Sequence, residues 1–399
     1  MSKAYNYTCI FGGGAIRGLS YIGAVNALKE IGITADTFAG SSVGAIFAAF
    51  LAAGYKADEI EDVFLNVNFD LFRDIHFGFG KVFALSKGEV FLEWVREMIE
   101  RKFYGEDYKK GENPTVKFKD LDKNLVIITT DLTNFKCKEF SKNETPDFEV
   151  ATAVRISSSM PGLMTVIEYE NAELVDGDLQ KSWPLWKLSK TLSNTENRIL
   201  EFRLEGDYDK NGKNAIDYLN TVYSCVTSIA TKRIVETYGN CDKYDYVTIN
   251  TGDVLIVDFN ISEDKRKDLI DIGYNQTMNY FKQTLPIKKN ELKIKYKIIA
   301  DNIKEVISQL EKRNVLQAKI ALGEVYMDLC EIKSQIDETF YLNIQNAKFR
   351  MLNEIKPSLL FRKYPVGKIN SVCQDFKQIY ESLNLKIKEL NNYNKHMFV

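Results

Sequence analysis

TADTFAGSSVGAIFAAFLAAG, residues Thr34–Gly54, is the stretch from which the rest of the chain is read. A short apolar run ends at Gly40, and an alanine-rich helical run starts at Val43 and stops at Gly54. Between them Gly-x-Ser-x-Gly falls on Gly40–Gly44, the signature of a nucleophile elbow, a sharp strand-to-helix turn that forces its serine outward. Small residues at Gly40 and Gly44 let strand and helix approach closely enough for that turn. The following helix sets its positive N-terminal end beside Ser42, which favours developing negative charge. Ser42 is therefore predicted to be a nucleophile; the strand–turn–helix context lifts this copy above a stray match.

The remaining composition is that of an ordinary globular protein. At 399 residues, 45% hydrophobic and 27% charged, the chain can bury two or three cores. It carries no repeat and no low-complexity tract. The six cysteines, Cys9, Cys137, Cys225, Cys241, Cys330 and Cys373, have no C-x-x-C spacing. They read as isolated thiols of a reducing compartment rather than a disulfide frame or a zinc site, and no metal or cofactor is expected. A short polar lead before Tyr7 is no signal peptide, and the longest apolar run, Val43–Ala53, is too short to span a bilayer. A cytoplasmic or peripheral membrane location is expected, with no nucleic-acid partner. Charge is uneven: residues 284–399 hold 20 Lys and Arg against 13 Asp and Glu, while the chain as a whole is at −2.

Strands and helices alternate along the first part. Tyr7–Phe11 reads as a buried strand, Gly12–Gly18 as a tight loop, and Leu19 to Gly32 as a helix with its stop. The elbow strand and helix follow, then amphipathic helices over Asp58–Asn66 and Lys87–Lys102, a strand over Leu125–Asp131 and a helix over Val150–Ser158. Ala172–Val175 reads as a short strand ending at Asp176-Gly177-Asp178. Further strands are read at Ile199–Leu204 and Tyr246–Asn250, with a helix from Ala215 to Tyr238. This alternation predicts an α/β fold whose parallel sheet is covered on both faces. Phe64, Phe69, Phe72, Phe77, Phe79 and Phe83 crowd one loop-like region, as core packing or as an acyl-pocket wall or lid. From about Pro286 apolar stripes at helical spacing (Ile299, Ile303, Val306, Ile307, Leu310; Phe376, Ile379, Tyr380, Leu383, Ile387) predict a helical appendage over 284–399. Its surplus of basic residues is open to membrane docking, and its stripes to a homo-oligomer contact.

A serine nucleophile needs a base, and the chain has only two histidines, His76 and His396. A triad running Ser…Asp/Glu…His in chain order would need His396, whose plainer reading is a solvated tail residue. His76 comes too early for that order. The alternative base is a carboxylate. Asp176 ends an apolar run, and a water-poor pocket would raise its pKa enough to make it competent. Asp178, recommended by nothing but its neighbourhood, is expected to be dispensable for chemistry. The Gly12–Gly18 loop fits neither nucleotide-binding glycine pattern. Its bared amides at a helix start could instead form an oxyanion hole.

Together these pieces resemble the patatin-like phospholipase family. Its G-G-G-x-[KR]-G block lies on Gly13-Gly14-Ala15-Ile16-Arg17-Gly18, with Ala15 in place of the third glycine. Its G-x-S-x-G lies on Gly40–Gly44, and its D-G-[GA] on Asp176-Gly177-Asp178, with an aspartate in place of the small third residue. Ala153–Pro161 is similar to the family's block upstream of that Asp, and segments at Thr251–Phe259 and Ile272–Tyr274 resemble bacterial members. The resemblance covers residues 5–283. It implies a three-layer α/β/α domain with a mostly parallel sheet, followed by a C-terminal helical region. It further implies a lipid acyl hydrolase with a Ser42–Asp176 dyad, oxyanion donors at Gly13, Gly14 and Ala15, Arg17 near the substrate, and no metal. The substrate would be a phospholipid or other acyl lipid. Two other readings stay open: a Ser–His–Asp carboxylesterase using His396, and a non-catalytic lipid- or protein-binding module.

Overall fold

The computed structural model describes residues 6–72, 84–180, 197–206, 215–239, 241–255, 258, 260–333, 336, 338–357 and 363–396. They fall into two compact units, one of Lys3–Glu236 with Lys243–Tyr280, the other of Phe281–Val399 with Thr237–Asp242.

The first unit is built on a central sheet. Its strands are β1 (Asn6–Phe11), β2 (Ala35–Gly40), β4 (Asn124–Asp131), β5 (Lys136–Ser141), β7 (Ile167–Tyr169), β8 (Ala172–Asp176), β9 (Asn197–Glu205) and β10 (Tyr244–Asn250); β3 (Ala84–Ser86) and β6 (Gly162–Met164) pair apart from it. The order is β10-β9-β1-β2-β4-β8-β7, with β5 on the other edge of β4. From β10 to β4 all pairings are parallel. Both faces of these strands are covered: Cys9, Ile10, Phe11, Ile199, Leu200 and Phe202 are all buried, and so are the charged Glu201 and Arg203 of β9, which pair with one another. The helices flanking the sheet are α1 (Ser20–Ile31), α2 (Val43–Ala52), α3 (Ala57–Asn66), α4 (Glu89–Tyr104), α5 (Val150–Ser157), α6 (Ala215–Tyr238) and α7 (Glu263–Asn279). The expected α/β fold with a mostly parallel central sheet is therefore the observed one.

The sheet departs from simple alternation at one end, and that departure makes the site. β4 pairs with β5, β7 follows β8, and β8 itself runs antiparallel to β4. β2 uses residues 124–127 of β4, while β8 uses residues 129–131. Because β5 occupies the opposite edge over both stretches, β2 and β8 meet end to end along one edge of β4. Gly40 stands opposite Ile127 and Asp176 opposite Thr129. The turn after β2 and the turn after β8 are thereby brought face to face.

Of the phenylalanine-rich region, Phe64, Phe69 and Phe72 are described. They form an aromatic cluster with Phe50, Phe91 and Trp94, in which Phe50, Phe64 and Phe91 are buried and Phe69, Phe72 and Trp94 half-buried. Phe77, Phe79, Phe83 and His76 lie outside the described residues.

The second unit holds α8 (Leu285–Glu311), α9 (Val315–Glu331), α10 (Glu338–Asn353) and α11 (Val366–His396). Its core gathers Ile299, Ile303, Val306, Ile307 and Leu310 from α8 with Phe376, Ile379 and Leu383 from α11. Most of the two stripes offered from the sequence as an oligomer contact is thus buried within their own unit, with Tyr380 and Ile387 partly buried against the same core. Lys289, basic by sequence and open to membrane contact on that ground, is also buried, paired at 2.6 Å with Asp242. No described helix is long and apolar enough to cross a membrane.

Candidate active site

Ser42 sits where β2 gives way to α2, with φ 54° and ψ −130°, a backbone state that costs a non-glycine residue free energy and persists only when its surroundings hold it. The two elbow glycines show why small residues are required. A Cβ on Gly40 would lie 2.2 Å from the Gly44 carbonyl oxygen, and one on Gly44 would lie 2.0 Å from that of Phe11. Strand and helix can approach this closely only without side chains there. From the other side α5 braces the turn. The Ser42 amide donates to Ser157 Oγ at 3.1 Å, and Ser157 Oγ donates to the Ile128 carbonyl of β4 at 2.6 Å.

The same helix ends by fixing the aspartate. The Asp176 amide donates to the Ser159 carbonyl at 3.0 Å, and Ser159 Oγ is held by the buried guanidinium of Arg155, which also reaches the Gly88 carbonyl. Thr130 Oγ1 donates to the Asp176 carbonyl at 2.8 Å. Asp176 is buried. Its Oδ1 accepts from the Asp178 amide at 2.8 Å and from the Tyr223 hydroxyl at 2.9 Å. Its Oδ2 has no partner at hydrogen-bond geometry, although Ser42 is near enough to draw the carboxyl's pKa down. Burial first, and then the charge of Asp178, outweigh those bonds and push the Asp176 carboxyl up to about 7. A carboxylate poised there is a far better base at neutral pH than an exposed one.

Tyr223 had no sequence signal. It comes from α6, a helix held over the sheet by Arg203, whose Nη1 donates to the Thr231 carbonyl at 3.0 Å while its Nη2 pairs with Glu201 at 2.7 Å. Burial and the neighbouring Asp176 charge raise the phenol well above its usual value. It therefore remains a donor throughout the working range of pH.

Asp178 is more engaged than an ordinary turn residue. Its Oδ1 accepts from the Gly13 amide at 3.0 Å and from Ser41 Oγ at 2.5 Å. Of the three amides expected to form an oxyanion hole, that of Gly13 is thus already donating to a carboxylate. Gly14 and Ala15 take φ 152° and 47°, and both line a cavity of about 370 Å³ that also contains Ser42, Asp178, Tyr223 and Met160. Arg17 lines the cavity too, but it is buried and its Nε donates to the Val254 carbonyl at 2.6 Å. The side chain of His396 lies outside what is described.

With this geometry in view, comparison with known proteins is direct. Residues 9–186, which contain the glycine loop, the elbow and Asp176, match the family described as Patatin-like phospholipase. That stretch of the chain resembles the patatin-like phospholipases. An uncharacterised protein of Bacillus subtilis, YqhO, is 26% identical over 295 residues, covering 69% of this chain and 97% of that protein. A probable lipid hydrolase of Invertebrate iridescent virus 6, 463L, is 28% identical over 194 residues, 46% of this chain and 64% of the viral protein. Among solved structures, VipD from Legionella pneumophila aligns over 99% of this chain and 90% of its own at 13% identity and a TM-score of 0.47. The match of residues 9–186 to that family and the likeness to a probable lipid hydrolase support a lipid hydrolase activity.

Proposed function

We propose that the protein is a serine lipid acyl hydrolase of the phospholipase A or lysophospholipase type, working through a Ser42–Asp176 dyad. The observation that carries this reading is the meeting of a strained serine at a helix start with a buried, partly unbonded aspartate whose pKa is raised toward neutrality. As Ser42 Oγ attacks the ester carbonyl carbon, its proton passes to Asp176 Oδ2. The C–O bond forms as the carbonyl π pair moves onto oxygen. The amides of Gly14 and Ala15, at the start of a helical turn and next to the N-terminus of α2, would hold that negative charge. Collapse of the tetrahedral intermediate expels the lyso-lipid alkoxide, which takes the proton from Asp176. Water then attacks the acyl-Ser42 ester with Asp176 again as base. Release of the fatty acid returns the proton to Ser42.

Two measurements test the reading. A fluorophosphonate probe is expected to label the wild type at Ser42, and Ser42→Ala to abolish both labelling and fatty-acid release from phospholipid. Equal labelling of Ser42→Ala would put the nucleophile elsewhere. The carboxylesterase reading has no described histidine side chain to support it, and a binding module gives no reason for a raised carboxyl beside a strained serine.

A further inference from the structure

α6 is amphipathic in an unusual sense: its polar side faces inward. Tyr223, Ser224, Thr227 and Thr231 line the cavity above Ser42. On the opposite side Tyr218, Val222, Val226 and Ile229 are exposed by 70%, 43%, 42% and 63%. At about 100° per residue these four positions fall within an arc of about 80°, and the cavity-lining positions fall on the other half of the helix. Single exposed apolar residues are ordinary, but a contiguous stripe is not. Lys232, exposed and also lining the cavity, stands at the boundary between the two faces near the Ile229 end.

We propose that α6 is the surface by which the enzyme docks on a lipid bilayer. The proposal rests on the lipid hydrolase reading above and deepens it by naming how the cavity meets its substrate. Three features argue for lipid as the occupant. The wall that presents the stripe is the wall of the catalytic cavity, so seating the stripe in the headgroup layer brings the cavity to the ester bonds of the same layer. The helix is interfacial in kind, with an apolar arc, a polar opposite face and no capacity to span. Lys232 at the edge of the arc complements an anionic headgroup. The docked helix also holds the base: Tyr223, bonded to Asp176 Oδ1, sits within the turns that carry Tyr218, Val222 and Val226.

The experiment uses full-length protein in the Ser42→Ala background, so that no product forms. Vesicles of phosphatidylcholine with phosphatidylglycerol are sedimented with it and with a variant that adds Tyr218→Asp and Ile229→Asp. The double charge is expected to weaken vesicle binding by at least about tenfold. In the Ser42 background the same two changes are expected to leave hydrolysis of a soluble short-chain ester within about twofold while vesicle hydrolysis falls about tenfold or more. Should the double variant lose its fold, Ile229→Trp serves instead. Quenching of its added fluorescence by brominated phosphatidylcholine supports insertion, and absence of that quenching overturns it. Unchanged vesicle binding by the double variant also overturns docking. So does a change from dimer to monomer in sedimentation velocity with vesicle binding intact, because the stripe would then be a self-contact. A wild type that cleaves no ester while the double variant still loses vesicle binding would sink the hydrolase reading and leave docking standing.

Discussion

At the scale of single residues the site turns on what surrounds one carboxylate. Asp176→Asn is expected to lower ester hydrolysis by about 10²- to 10⁴-fold, the usual share of a general base. The same substitution carries a stability signature. The Asp176 pKa is raised in the folded protein above an unfolded value of about 3.9. The stability it contributes is therefore fully present below that value and is lost as pH rises through about 7. The melting temperature of Asp176→Asn relative to wild type is thus expected to climb between about pH 4 and pH 7 and to level off above that; a pH-independent difference would contradict the raised pKa. Tyr223 and Asp178 act on this carboxylate in opposite senses. Tyr223→Phe removes a bond to the charged form, one worth about 1.5–3 kcal/mol. The acid limb of kcat/KM is then expected to move up by about one to two pH units, with rates recovering at alkaline pH. Asp178→Asn removes a repelling charge and is expected to move that limb down. Both limbs staying fixed would show that the limb belongs to another group. Ser42 and Asp176 are legible in the sequence as candidates because short motifs carry them. Tyr223 stayed hidden because nothing within its own helix refers to a residue 47 positions away, and Asp178 passed for a turn because Asp-Gly pairs are common in turns.

At the scale of elements the decisive contacts are those that α2 makes with the ends of β2 and β1. Gly44→Ala would drive its methyl group toward the Phe11 carbonyl, 2.0 Å away, and backbone cannot swing aside as a side chain can. It is expected to destabilise the protein by about 1–3 kcal/mol, as overpacking does, and to cut fluorophosphonate labelling of whatever folds. Wild-type melting and labelling together would mean that the elbow is less tight than it looks. Two parallel strands were legible because strands buried on both faces tend to be apolar runs: Tyr7–Phe11 and Leu125–Asp131 read that way, whereas Ile199–Leu204 carries Glu201 and Arg203, buried as an ion pair. β6 and β7 are three residues each, too short for any period to register, and their pairing depends on partners remote in sequence. The antiparallel run of β8 was likewise unreadable, since a five-residue strand carries no sign of the direction in which it pairs. Yet that reversal is what sets Asp176 opposite the end of β2. The block Ala153–Pro161 was recognisable only by resemblance; its physical task, Ser157 holding the elbow and Ser159 the aspartate, shows only in three dimensions.

At the scale of the whole molecule the chain carries two cores, and they can be perturbed separately. Residues 284–399 hold 20 basic against 13 acidic residues, but their apolar stripes are internal. Phe376 is fully buried among residues of its own helical unit, with Ile303 and Val306 in the same cluster. Phe376→Ala is expected to cost about 3–5 kcal/mol, the transfer of the ring plus the cavity it leaves. If the helical unit is stabilised chiefly by its own core, that loss appears first as faster hydrogen exchange in α8 and α11 and as an early thermal transition. The elbow, the Asp176 turn and their bracing helix draw every described bond from the other unit. Labelling of Ser42 by a fluorophosphonate is therefore expected to persist through that early transition and to vanish only at the main one. Simultaneous loss of both signals in a single transition would show that the two cores unfold as one cooperative body, and that the helical unit supports the catalytic one through contacts the site itself does not reveal.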